Sequence, residues 1–126
     1  MDIAKIRVNT DAIENGAWVD GIPGAGNLRL KVRGYSSKVY SEDMARRLKT
    51  VGRDDRERDG KVKPDVLRQI TQSAIADTIL LDWENLSMGG DVVPFSREAA
   101  AQFIADPELM EFLAMVDYAA TIVGKQ

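Results

Sequence analysis

The feature that most restricts this chain is the run from Pro64 to Glu98, which opens with a helix that becomes apolar almost all round and has no clear polar face. Placed at about 100° per residue, Leu67, Ile70, Ala74, Thr78 and Leu81 form one stripe, and Ile75, Ile79, Trp83 and Leu86 form a second. A helix that is apolar on two sides needs covering on both. The run is therefore predicted to begin with one long helix at the centre of the fold, interrupted by Asp82, Glu84 and Asn85 only near its end. A glycine turn at Gly89-Gly90 follows, then Val92-Val93-Pro94-Phe95, held extended because a residue before proline is pushed out of the helical region.

The rest of the chain is read around that helix. Ile3 to Val8 alternates apolar and polar residues and predicts a strand. Asn15-Gly16 and Asp20-Gly21, both strong hairpin-turn signals, bracket Ala17-Trp18-Val19. Ile22 to Asn27 is a loop; Gly24 and Gly26 make no dinucleotide fingerprint, since the third glycine and the following helix pattern are missing. Leu28 to Tyr35 alternates again, with Arg29, Lys31 and Arg33 along one face. Ser41-Glu42-Asp43 predicts a helix start, a cap followed by first-turn acids. Its apolar stripe is thin, and the charged run Arg53 to Lys61 has so little to bury that a frayed or mobile segment is expected.

Ser96 caps the next helix, and Asp106-Pro107 opens the last one. That last helix carries Leu109, Phe112, Leu113, Val116, Ala119, Ala120 and Val123 on a core face. Met115, Tyr118 and Ile122 extend the apolar arc beyond what one partner requires. The predicted fold class is α+β in a single domain over residues 1–126: a small antiparallel sheet or hairpin in a β-rich part (1–40), a helix and charged mobile segment (41–63), and a mainly helical part (64–126).

Composition narrows the chemistry. With 126 residues, 44% of them apolar, the chain can build one modest core. It has neither Cys nor His, so thiolate chemistry and disulfides are excluded, and the commonest general base and metal ligand is missing. Carboxylates remain, such as Asp82 with Glu84 or Asp91, but side chains two apart on a helix do not face each other. No catalytic residue, metal ligand or cofactor is predicted, and an enzyme is not expected. No apolar run approaches the roughly 18 to 20 residues of a membrane span, and the start does not read as a signal peptide, so a cytosolic protein is expected.

The net charge of −3 conceals an asymmetry: residues 1–68 sum to +4 and residues 69–126 to −7. An anionic partner for the front, head-to-tail contact between copies, and a merely solvated surface are all open readings. Arg29, Lys31 and Arg33 could meet phosphates. With only Tyr35 and Tyr40 nearby to stack on bases, nucleic-acid binding is not expected.

The order of Leu80-Leu81-Asp82-Trp83-Glu84-Asn85-Leu86, Gly90-Asp91-Val92-Val93-Pro94-Phe95-Ser96 and Asp106-Pro107 before a helix containing Phe112 resembles the tail assembly chaperones of long-tailed, siphophage-type bacteriophages. Arg7-Val8 with Gly16-Ala17-Trp18-Val19 resembles that family's front end. The resemblance implies a non-enzymatic protein of the host bacterial cytoplasm. It would keep the tape measure protein soluble while tail tube subunits assemble, and leave before the virion is complete. It also implies a homo-oligomer and a second, longer form made by ribosomal frameshifting, with which Gly124-Lys125 is compatible. Contact with partners or copies is then assigned to Met110, Met115, Tyr118 and Ile122 on the last helix, to Trp83, and to the cations Arg29, Lys31 and Arg33. The alternatives are a structural virion component, such as a tail completion or connector protein, and the nucleic-acid module built on the three cations.

Overall fold

Asn9 accepts a hydrogen bond from the Ala12 amide at 3.1 Å and opens a short helix, α1 (Thr10–Asn15), that the sequence reading missed. Gly16 ends it with φ +91°, a conformation that favours glycine, and a Cβ there would push the tip of the Leu81 side chain aside. The chain then makes β1 (Ala17–Val19), the expected loop, and β2 (Arg29–Val32), which pair antiparallel with Val19 opposite Leu30. The computed structural model describes residues 1–125. Ahead of α1, Ile3–Ile6 is a 3-10 turn and not the expected strand, because no strand among the described residues lies beside it.

The fold is α+β, as read from the sequence, with one correction to its centre. The helix that begins at Pro64, α3 (Pro64–Ala74), widens into a π-turn over Ile75–Ile79 and stops. Leu80–Glu84 is a strand, β3, lying antiparallel beside β2 with Trp83 opposite Leu30. The three-stranded sheet therefore has the order β1-β2-β3, its last strand supplied from the middle of the chain. An apolar run fits helix and buried strand equally well by periodicity. What decides between them lies far away in sequence. A helix that stops leaves its last carbonyls without amides, and here two arginines supply the donors. Arg97 Nη1 donates to the carbonyls of Ala76 and Leu80, both at 2.8 Å, and Arg33 Nη1 donates to that of Thr78 at 2.8 Å.

After β3 a small hairpin, β4 (Ser87–Met88) and β5 (Asp91–Val92), leads to α4 (Arg97–Ala105), capped by Ser96 as expected. Asp106 caps a 3-10 turn at Pro107–Leu109 that runs into α5 (Met110–Lys125). Helix α5 packs over β1 and β2, while α3 and the π-turn pack against α4. Leu30, Val32, Ile79, Leu80, Val116 and Val123 are fully enclosed between these layers. Each such side chain contributes about 1.5–3 kcal/mol of transfer free energy.

Two further expectations in the middle of the chain are corrected. Helix α2 (Lys38–Lys49) starts earlier than Ser41, with the buried Ser37 as its cap. Asp43 is not a first-turn acid but a buried ion-pair partner, 3.0 Å from Arg46 and 2.6 Å from Arg47. The charged run is a bonded loop and not a frayed end. Arg56 donates to the carbonyls of Leu48, Val51 and Gly60, and it pairs across a bridge with Val62. One guanidinium with several donors can organise a loop that has almost nothing apolar to bury.

Candidate functional site

Asp106 accepts the Glu108 amide at 2.9 Å, and Pro107 occupies the first helical position, so α5 has a defined start and phase. That phase turns Phe112, Val116, Ala119, Ala120 and Val123 inward. The opposite side carries Met110, Glu111, Ala114, Met115 and Tyr118, at spacings of three and four that make one surface. Between this surface and the loop after β1 runs an open groove of 430 Å³, lined by Ile22, Pro23, Gly24, Glu111, Ala114, Met115 and Tyr118. Met110, one turn before Ala114, is 70% exposed and Tyr118 is 40% exposed. Met115 and Ile122 lie half-buried at the core margin.

The electrostatics of this face are one-sided. Glu111 lies on it, Glu108 stands in the turn before it and Asp117 on its flank, and α5 has no cation before Lys125. Asp117 accepts the Tyr35 hydroxyl at 2.6 Å. Burial and the Asp117 carboxylate push the Tyr35 phenol far above its ordinary range, so it remains a donor. Tyr40, edge-on to Tyr35 at 5.4 Å, is raised for the same reasons, burial first. This pair ties α2 and the strand end before it to the flank of α5.

A second open groove, of 420 Å³, lies between α3 and α5 and is lined by Pro64, Leu67, Arg68, Thr71, Gln72, Ile75 and Leu113. The Arg68 guanidinium above it is held by Asp65 at 2.6 Å. A third hollow, beside the charged loop, is lined by Arg53, Arg56, Glu57, Arg58 and Gly60. Arg56 is already committed there to backbone carbonyls.

The family model for the YdaY prophage protein matches residues 35–125. The chain belongs to the YdaY prophage protein family. It is thus a phage-derived protein, the broader part of what the tail-chaperone resemblance implies. No curated protein and no solved structure matches it. The part matched to the YdaY family contains α2 to α5 and β3, hence the α5 surface and the whole α3–α5 groove. Ile22, Pro23 and Gly24, the far wall of the first groove, lie outside it.

Within this YdaY-family chain the residues assigned to contact separate into three groups. Met115 and Tyr118 line one groove, with Met110 continuing the surface and Ile122 at its inner margin. Trp83 does not belong with them. It is 4% exposed, its Nε1 donates to the Val93 carbonyl at 2.8 Å, and Phe95, Phe103 and Phe112 surround it with ring centroids 4.8 to 5.9 Å away. It is the centre of the aromatic core.

The cation row is also broken. Arg29 bonds Glu84 at 2.9 Å and lies over the Trp18 ring at 4.9 Å. Arg33, beyond the strand end, bonds the carbonyls of Glu14 and Thr78 and so does not join Arg29 and Lys31 in a common face. Sequence reasoning did not assign Ile22, Pro23 or Ala114 to a contact surface, and it placed Leu67, which lines the second groove, in a packing stripe. The loop composition concealed the first two, and only the phase of α5 against that loop reveals them.

Proposed function

We propose that this chain is a non-enzymatic tail assembly chaperone of a phage, which binds the tape measure protein in the host bacterial cytoplasm and keeps it soluble until tail tube subunits surround it. The observation that carries the reading is the outer surface of α5. Met110, Ala114 and Tyr118 stay at the surface beside a groove that, among the described residues, no other segment covers. A contiguous apolar surface with an acidic margin suits a long helical guest, whose own apolar stripe can lie along it. Methionine at such a surface adapts to different sequences along a long client. Membership of a prophage family supports the same setting, and so does the resemblance of Leu80–Leu86 and Gly90–Ser96 to tail assembly chaperones.

Co-expression with the long helical protein encoded in the same prophage tests this reading. The client should be soluble with the native chain and aggregate with a Met115→Glu, Tyr118→Asp variant whose circular dichroism is unchanged. A client equally soluble without the chain refutes the proposal. Mass spectrometry of purified particles is the second arm: a chaperone is missing from them, whereas stoichiometric presence makes the chain a virion component.

A further inference from the structure

Residues 1–10 lie exposed along their whole length, although Met1, Ile3, Ile6 and Val8 are large and apolar. Ile3 is 74% and Ile6 58% exposed. The segment is nevertheless shaped. Asp2 accepts the Ala4 amide at 3.0 Å and starts the 3-10 turn Ile3–Ile6. Residues three apart in such a turn stand one above the other, so Ile3 and Ile6 share a side, with Lys5 and Arg7 flanking them.

The groove beside α5 has the complementary character. Ile22, Pro23, Ala114, Met115 and Tyr118 make an apolar lining, and the charged residues of the adjoining helix start are Asp106, Glu108 and Glu111, with no cation among residues 98–124. Its 430 Å³ is within the range of small binding clefts, enough for two aliphatic side chains. Opposite charge around matched apolar groups aligns two surfaces and disfavours other partners.

We infer that Met1–Val8 of one copy docks in the α5 groove of a second copy, Ile3 and Ile6 against its apolar lining and Lys5 and Arg7 toward Glu108 and Glu111. The segment and the groove are different surfaces, so a reciprocal exchange closes a dimer and a one-way exchange builds a chain of copies. The inference rests on reading the α5 groove as a contact surface. It adds that in the absence of a client the protein covers this groove with its own amino-terminal segment.

Because the chain has no Cys, engineered thiols report cleanly. Ile6→Cys and Ala114→Cys proteins, prepared separately and oxidised together, should yield a disulfide-linked pair of two different chains by mass. Sedimentation should show assembly of the native full chain. Lys5→Glu with Arg7→Glu should weaken it about tenfold, through repulsion at two exposed pairs, and Glu108→Lys with Glu111→Lys mixed in should restore it.

A native chain that stays monomeric at every concentration overturns the inference, as does a disulfide formed only within one chain carrying both cysteines. An assembly unaffected by Ile3→Asp with Ile6→Asp, yet dissolved by Met115→Glu, shows that another part of the chain fills the groove and also overturns it. Client solubility is read separately, so failure here leaves the chaperone proposal standing, and loss of that proposal leaves the self-docking measurable.

Discussion

Residues 75–83 and residues 110–122 both hold more apolar side chains than a single packing face uses, and the molecule treats them oppositely. The first stretch has nearly all its apolar side chains enclosed, with Asp77 exposed and Leu81 half-buried. Strand β2 lies along it, α4 and the aromatic cluster around Trp83 close the sides, and Arg33 and Arg97 occupy the carbonyls left at its turn. The second stretch is covered on its inner face and left open on its outer one, at Met110, Ala114 and Tyr118. Apolar surplus in a sequence therefore does not by itself mark an interface. The same surplus becomes core where distant segments converge on it and becomes a contact surface where none does.

Substitutions can break this contrast, and the largest effect belongs to the enclosed region. Trp83→Ala removes the ring that Phe95, Phe103 and Phe112 pack upon and should cost about 3–5 kcal/mol, read as a fall in the denaturant midpoint. An effect below about 1 kcal/mol would mean that the cluster collapses onto the gap and that the region is not rigidly packed.

The capping arginines come next. Arg97→Ala leaves the Ala76 and Leu80 carbonyls without that donor and should cost about 1–3 kcal/mol. Combining it with Arg33→Ala should depart from additivity, because both side chains hold one turn. Strict additivity would show that each arginine acts for its own local reason.

The seam between α5 and the rest of the chain is tested by pH. The Tyr35 phenol is raised by burial and by Asp117, so in the folded protein it stays protonated where the unfolded chain has begun to lose its proton. Its contribution is fully present below the ordinary phenol pKa of about 10 and is lost as pH rises above that value. Stability should therefore hold up to about pH 10 and decline beyond it, with a shallower decline in Tyr35→Phe, as followed by denaturant titration at alkaline pH. A variant with the same alkaline slope as the native protein would remove Tyr35 from this seam.

The smallest effect on stability belongs to the open face. Met110→Ser should stay within about 0.5 kcal/mol of the native protein, while assembly or client solubility changes. A loss as large as that at the capping arginines would mean that the outer face of α5 is structural after all.

Much of the scaffold was readable in the residues. Ser96 and Asp106-Pro107 mark the last two helices because a cap acts within one turn. Ala17–Val19 pairs with the alternating strand that follows, although Asn15-Gly16 ends α1 instead of making a hairpin turn, and the inward positions of α5 follow from their spacing alone. The candidate surface was half readable. Met115 and Tyr118 stand out as apolar residues beyond the core arc, but Pro23 and Ile22 opposite them belong to a loop with no periodicity to interpret. Trp83 reads as the end of a helix in the sequence, and its place in a strand turns it into the core. Ile3 to Val8 alternates like a strand, yet alternation describes only one side of a pairing and does not supply the other.

The sequence by itself determined what is local: where helices α3, α4 and α5 begin, which residues of α5 face inward, the chemistry ruled out by missing Cys and His, and the opposed charge of the two halves. Capping, turn conformation and periodicity act over a few residues, so they are written in consecutive positions. Only the tertiary structure decided that the central helix stops at Ile79, that Trp83 is core, and that the Arg29–Arg33 row is divided. Those outcomes depend on which carbonyl, ring or strand arrives from Glu14, Arg97 or Phe112. The energy of a buried hydrogen bond or aromatic contact is set by proximity in space, and separations of tens of residues along the chain leave no periodic trace of it.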